Sequence, residues 1–418
     1  MSGSTVSPTM PTERVPVVDV LRGFALLGIL LVNMELFARP MQALMLPLEA
    51  SVSGVARLAD WLVRLLAEGK FYSLFAFLFG WGFAMQLLRA QARSARFGFL
   101  YTRRLLVLLA IGVAHALLIW VGDILTLYAV LGLALLLFRQ AKPRTLIIWA
   151  IILLFLPILF NLFATVAVEV GRQASPQAAT QIQRAFAEQR AMYLNDIARA
   201  YSVYAHGNFI EITQQRMRDI LSFMVIGNLA LSPSVLAMFL IGLYFGRRQI
   251  FQDIDAHRPF LRQLLGWGLG IGLGGNLVYA TLIPSLYRAE PSFTLFFAML
   301  GQSIGAPALC LFYVAALALL YRSHSWLNLL APLGRLALTN YLGQSVICTL
   351  IFYGYGLGWF GQVGKAAGLL MAIAIYLMQA LLSTWWVHHF RFGPVEWLWR
   401  SLTYLKLQPL RVTDRHAE

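Results

Sequence analysis

Two short stretches place ionisable side chains inside or beside long apolar runs. One carries Arg14, Asp19, Arg22 and Gly23 and leads through Ala25 to Val32 into Asn33; the other sets Gly112 and His115 just before Trp120, Gly122 and Asp123. Such groups are costly at membrane depth, so their presence there marks candidate functional positions. An imidazole suits a general base or a nucleophile. A helix advances about 100° and about 1.5 Å per residue, which puts Asp19, Arg22, Leu26 and Asn33 within about 60° on one stripe about 21 Å long. Arg104 and His115, eleven residues apart, share a face with about 16 Å between them. Both stripes have a cation at one end and a polar or reactive group at the other. Each residue also has a purely structural use. Asp19 and Arg22 can form an ion pair at a helix start, Asn33 a bond between helices, His115 a link between two helices, and Asp123 a helix cap.

The elements that must position these groups follow from composition. Of 418 residues, 59% are hydrophobic and 12% charged, with mean hydropathy +0.70, too little polar surface to cover a soluble globule. The chain reads as all-α, a polytopic membrane helix bundle with about ten transmembrane helices. Apolar runs of spanning length fall near residues 17–36, 70–88, 102–120, 124–138, 146–168, 222–246, 263–284, 293–321, 335–355 and 366–387. The first run is full length and is followed by Phe37, Ala38, Arg39 and Pro40, a poor processing site, so the first helix is expected to stay.

The net charge of +15 sits in short connections and forms no continuous stripe, which argues against a nucleic-acid partner. Arg89, Arg93, Arg96, Arg103 and Arg104 flank the second connection, and Arg139, Lys142 and Arg144 the fourth. Arg247, Arg248, Arg258 and Arg262 flank the sixth, and Arg322 and Arg335 the eighth. Arg391, Arg400, Lys406, Arg411 and Arg415 follow the last helix. Every basic connection is even-numbered, so the positive-inside rule puts both termini in the cytoplasm.

The expected organisation is a cytoplasmic tail (1–16), an N-terminal five-helix half with the candidate catalytic residues (17–170), an extracytoplasmic helical insertion (171–219), a C-terminal five-helix half (220–390), and an interfacial helix with a cytoplasmic tail (391–418). The insertion reads as a solvated helical hairpin or as a lid. Residues 1–13 and the tail after Pro409 are polar, with little to bury. The Trp and Arg mixture from Phe392 to Arg400 reads as an interfacial helix.

Other motifs carry less. Gly80 and Gly82 close an aromatic helix from Lys70 and read as packing positions. Asn340 and Gln344 meet at i,i+4, where they line a cavity or bond to another helix. No metal site is expected, because the adjacent His388 and His389 point about 100° apart on a helix. Cys310 and Cys348 both fall within spans and read as packing residues. There is no Gly-x-Ser-x-Gly elbow and no Walker A loop, which removes the central parts of serine-hydrolase and ATPase readings.

Together, Asp19-x-x-Arg22-Gly23 with Asn33, the Lys70 to Gly80 aromatic helix, His115 with Gly122-Asp123, the Gly334-Arg335 to Gln344-Ser345 segment and the closing Gly393-Pro394-x-Glu396-Trp397-x-Trp399-Arg400 resemble the bacterial YeiB-like family. The likeness covers nearly the whole chain. The C-terminal half of that family is known only as a domain of unknown function. The N-terminal half is more distantly similar to heparan-α-glucosaminide N-acetyltransferase and its bacterial relatives, which move an acetyl group from cytosolic acetyl-CoA across a membrane by means of an embedded His. That resemblance implies His115 as the acyl-transfer residue and Asn33 as the oxyanion donor. The distant relatives carry their His in a different segment, and Asn33 is the positional match.

The expected function is thus an acyltransferase of the bacterial inner membrane. It would take acyl-CoA as co-substrate, with no tightly bound cofactor, and pass the acyl group to an envelope-side glycan, lipid or small molecule. Arg22, Arg103 and Arg104 would bind the donor phosphates, His115, Asn33 and Asp123 would act in catalysis, and Asp19, Asn340 and Gln344 would line or support the site. A transporter or lipid exporter with an intramembrane polar path, and a non-catalytic membrane partner protein, are the alternatives; homo-oligomerisation stays open.

Overall fold

The computed structural model describes residues 14–48, 53–92 and 97–411. Arg93, Arg96, Arg415 and the polar tail 1–13 lie outside the described residues, as do residues 412–418. Fifteen α-helices follow one another, and the sole strand-like feature among the described residues is one antiparallel bridge between Phe390 and Arg411. The protein is a polytopic membrane helix bundle. Seven helical stretches among the described residues are long and apolar enough to cross a bilayer.

Each of the ten apolar runs forms a helix: α1 (Pro16–Ala38), α3 (Lys70–Ala92), α4 (Phe97–Leu118), α5 (Leu125–Ala134), α6 (Pro143–Ala174), α9 (Val225–Arg247), α10 (Arg258–Leu282), α11 (Phe293–Tyr321), α13 (Ala337–Phe352) and α14 (Lys365–His389). Three of them fall outside the seven long apolar stretches. The runs around α5 and α13 are shorter apolar helices, and in α10 six glycines between Gly266 and Gly275 dilute the hydropathy.

Helix α1 is the central stave. Two-thirds (67%) of its apolar window is buried inside the protein against 17% for α6, which turns most of its surface outward to lipid. Pro16 starts α1 at a position where its missing N–H costs nothing. Its first turns then lie backbone to backbone against the turn before α12 (Ala331–Arg335): a Cβ on Gly23 would sit 2.1 Å from the Leu330 carbonyl oxygen, and one on Gly334 1.8 Å from that of Asp19. The two sequence motifs, Asp19 to Gly23 and Gly334-Arg335, are thus two sides of one junction. A similar close approach joins α3 to α9, where Cβ atoms on Gly80 and Gly242 would each lie 1.9 Å from a carbonyl oxygen, of Phe239 and Phe77 respectively.

The polar groups buried between α13 and α14 are paired. Asn340 donates to Ser383 Oγ (2.9 Å) and Gln344 to Gln379 Oε1 (3.0 Å), while Gln379 returns a bond to the Asn340 carbonyl (2.9 Å). Of the two readings of this i,i+4 pair, the helix-to-helix one is realised, since α14 answers with its own i,i+4 pair.

At the far end of α1, Lys365 bridges Glu35 (2.8 Å) and Asp60 (2.7 Å), and Arg64 pairs with Asp60 (2.6 Å). Asp60 and Arg64 belong to α2 (Gly54–Leu66), an amphipathic helix absent from the sequence reading. Its other face, Val55, Leu58, Leu62 and Leu66, is exposed, as in a helix lying in an interface plane.

The insertion forms α7 (Pro176–His206) and α8 (Phe209–Asp219), which continues through a π-helical turn, Ile220–Met224, into α9. It is no free hairpin. Tyr204 and Gln42 both bond to Asp219 (2.7 and 2.8 Å), and the fully buried Arg216 donates to the Ile119 carbonyl (2.6 Å).

The α3–α9 contact yields a stability test. Gly80→Val should cost about 1–3 kcal/mol through overpacking against backbone that cannot yield and lower the unfolding temperature in detergent. Gly270→Ala, at a glycine with nothing within 4 Å of its would-be Cβ, should leave that temperature unchanged.

Candidate functional site

Six arginines, Arg14, Arg22, Arg89, Arg104, Arg335 and Arg400, come from four separated parts of the chain to the wall of one cavity of about 320 Å³. Among the described residues only two carboxylates, Asp19 and Glu396, share that wall. Asp19 accepts from Arg22 (3.1 Å). Glu396 is spent elsewhere: it accepts from the Leu338 N–H (2.7 Å), the Thr339 N–H (3.0 Å) and the Thr339 hydroxyl, and so caps the start of α13. The mouth is therefore strongly electropositive.

Helix α15 (Pro394–Tyr404) completes it. Trp399 donates its indole N–H to the Arg104 carbonyl (2.9 Å), and the Arg104 guanidinium lies over the Trp399 ring at 3.9 Å. Burial pulls the Arg400 guanidinium down to about 10, and Arg104 beside it pulls the same way. A cluster of cations that depress one another is a cluster short of anions.

Away from the arginines the cavity is aromatic and aliphatic, lined by Tyr72, Phe75, Phe79, Trp81 and Tyr128 and by Leu108, Ile124, Leu125 and Tyr341. Its chemistry fits an amphiphile with an anionic head and an apolar chain.

Arg22, Arg104 and Asp19 stand on this wall as the stripe geometry predicts. Arg103 does not; its guanidinium lies over the Phe99 ring (5.6 Å). The neighbouring register explains the difference, since adjacent helix residues point about 100° apart. Arg14 belongs to the first ionisable stretch, and Arg89, Arg335 and Arg400 stand among the charges that flank the connections; no periodicity within one helix brings them together.

His115 and Asp123 meet across the turn between α4 and α5. Imidazole Nδ1 lies 2.8 Å from one Asp123 carboxylate oxygen, and the other oxygen accepts the Thr126 backbone N–H (2.7 Å). Asp123 is thus both helix cap and imidazole partner. Gly112, one turn before His115, makes room: a Cβ there would lie 3.1 Å from that same carboxylate. The pair is sealed, with 1% and 4% of the residue surfaces exposed. Trp120, fully buried, and Tyr341 flank the ring at centroid distances of 6.3 and 5.4 Å. Neither His115 nor Asp123 lines the cavity.

Three buried polar atoms of this turn, His115 Nε2, Trp120 Nε1 and Thr126 Oγ1, have no hydrogen-bond partner. Buried polar atoms are rarely left so, and an ordered water commonly serves them. Asn33 belongs to the same region. Ile29, Asn33 and Phe37 succeed one another at i,i+4 on α1; Ile29 lines the cavity and Phe37 stacks on Trp120 at 4.1 Å. The face of α1 that carries Asn33 therefore runs from the cavity to the His115 turn. Asn340 and Gln344 support this region without lining it. Among the described residues no group of three His, Cys, Asp or Glu side chains could hold a metal ion.

A family described as a protein of unknown function, DUF418, matches residues 245–406, the part that supplies Arg335, Tyr341, Glu396 and Arg400. Over nearly its whole length the chain is similar to the uncharacterized protein YxaH of Bacillus subtilis, at 38% identity over 97% of this chain and 98% of the relative. It is also similar to an uncharacterized 39.9 kDa protein in the amylase 3' region of Bacillus acidopullulyticus, at 27% identity over 97% and 98%. The uncharacterized protein YeiB of Escherichia coli is 30% identical over 94% of this chain and 96% of its own. No solved structure matches.

A neutral imidazole facing a carboxylate through Nδ1 carries its proton on that nitrogen and leaves Nε2 bare. Nitrogen-15 NMR of protein labelled in His should report that tautomer for His115. Asp123→Asn should shift the tautomer balance and cost about 1–3 kcal/mol of stability, as the buried Thr126 N–H and imidazole lose a charged partner.

Proposed function

Since the chain belongs to the YeiB-type family of uncharacterized membrane proteins, we propose for it a transmembrane acyl transfer from an acyl-CoA at the basic end to a hydroxyl or amine acceptor arriving from the far side. The observation that carries this reading is the cavity, which joins an arginine-ringed mouth to the walls of the His115–Asp123 turn. The donor phosphates would sit among Arg22, Arg104, Arg335 and Arg400 in charge-assisted hydrogen bonds. The pantetheine arm would run up the aromatic wall and bring the thioester beneath Tyr341. The protein would lie in the bacterial cytoplasmic membrane with its basic end inward, as the distribution of arginines favours.

In this mechanism Asp123 holds the imidazole with Nε2 free. His115 Nε2 takes the proton of the acceptor hydroxyl or amine while its oxygen or nitrogen attacks the thioester carbonyl carbon. The tetrahedral intermediate carries the charge on the former carbonyl oxygen, to which the Asn33 amide donates. Collapse breaks the carbon–sulfur bond, and the proton on Nε2 passes to the departing thiolate, leaving acylated acceptor and free CoA. His115 and Asn33 are the catalytic residues, and Asp123 is a positioning residue.

An anionic-lipid exporter is the second reading, favoured by one feature: the cavity meets the arginine mouth while His115 is shut off from it. Such a protein would move its lipid without consuming a donor.

Purified protein in lipid nanodiscs separates the two. Saturable acetyl-CoA or palmitoyl-CoA binding with slow release of free thiol supports the transferase, and absence of binding to either sinks it. Each of Arg22→Ala and Arg104→Ala should weaken donor binding by about tenfold or more, the worth of one hydrogen bond to a charged group at about 1.5–3 kcal/mol. His115→Ala should leave binding intact and slow thiol release by about 10²–10⁴, and Asn33→Ala should slow it by about 10²–10³.

A further inference from the structure

We infer that Tyr341 is the gate between the donor cavity and His115, a water-excluding partition whose side chain must swing aside before the thioester can meet the imidazole. The inference rests on the transferase reading for its purpose and on geometry alone for its substance. Tyr341 stands on both surfaces: its ring is part of the cavity wall and lies 5.4 Å, centroid to centroid, from the His115 ring.

What restrains the other neighbours of His115 singles this residue out. On the far side, Trp120 is fully buried and stacked on Phe37 at 4.1 Å. Ile119, next to it, is held through its carbonyl by the buried Arg216 at 2.6 Å. The floor of the turn is tied by the bonds from Asp123 to His115 and to Thr126. Tyr341 itself is held at the tip of its ring, its hydroxyl donating to the Gly122 carbonyl at 3.4 Å, at the long limit for such a bond, and also hydrogen-bonded to the Ile124 backbone.

The helix beneath it is pinned. Asn340 and Gln344, on either side in α13, make the short bonds to Ser383 and Gln379 on α14. Motion is therefore available to the Tyr341 side chain and denied to its backbone. The side chain borders the cavity, so a rotation away from His115 turns it toward open volume. With the ring in place, a thioester in the cavity is kept away from Nε2, so His115 cannot activate a water against it, and hydrolysis to free acid and CoA is suppressed.

A thiol-labelling experiment tests the gate without any CoA. In nanodisc protein carrying His115→Cys, N-ethylmaleimide labelling of the introduced thiol is followed by mass spectrometry, and the native buried Cys310 and Cys348 report any general loosening of the fold. With Tyr341 present, labelling at position 115 should be slow. Tyr341→Ala should speed it by about tenfold or more, as expected if the partition is closed more than about nine-tenths of the time, while Tyr341→Phe keeps it slow and the native thiols stay unlabelled. Adding Gly82→Trp, which fills the cavity from a wall position with open space before it, should restore the slow rate. Fast labelling with Tyr341 in place, no acceleration in Tyr341→Ala, or acceleration that Gly82→Trp does not reverse would each overturn the gate. Because the reagent is not a CoA ester, failure of the gate and failure of the donor reading are separate outcomes.

Discussion

The contact on which the rest of the site depends is the backbone-to-backbone packing of α1 against the turn that precedes α12. Gly23 and Gly334 allow it, each presenting no side chain where a carbonyl oxygen of the other segment comes within about one bond length of a would-be Cβ. This junction fixes the rotation of α1, and rotation decides which of its faces meets which partner. Asp19 and Arg22 are delivered to the cavity mouth, Ile29 to its wall and Phe37 to the Trp120 ring. A side chain at either glycine would push α1 out of register with all three.

Burying charge in hydrocarbon is costly, and the molecule meets that constraint in two ways. At the far end of α1 the charges are matched, with Glu35, Asp60, Arg64 and Lys365 in one ion-pair network. At the basic end, among the described residues, six arginines share the cavity wall with Asp19 and Glu396. Glu396, the carboxylate nearest to hand for Arg400, is drawn away to cap α13, and the arginines keep their excess. That contrast between the two ends is what the proposed anionic donor would use.

Much of this was legible in the sequence, because helical periodicity sorts residues into faces before any fold is known. The ten apolar runs, the stripe from Asp19 to Asn33, the pairing of Arg104 with His115 on one face, and Asp123 as a group of interest all follow from spacing. What spacing could not say is which faces meet. Arg400 and Arg104 are nearly three hundred residues apart, and α15 alone brings them together. Tyr341 sat unnoticed between Asn340 and Gln344, since an aromatic residue in an apolar helix carries no polarity signal. The alternation of Val55, Leu58 and Leu62 with Asp60 and Arg64 does mark α2, but at thirteen residues it is too short to register as a span.

The sealing of His115 has an energetic meaning beyond its geometry. An unpartnered buried polar atom costs about 1–3 kcal/mol, and the His115 turn carries three of them. An ordered water is the ordinary partner of such atoms. In the transferase proposed above, the acceptor would take that place: Nε2 would gain its proton, and the indole and hydroxyl would gain acceptors, once the Tyr341 partition had moved. On that proposal the site works through one movable tyrosine set among fixed neighbours.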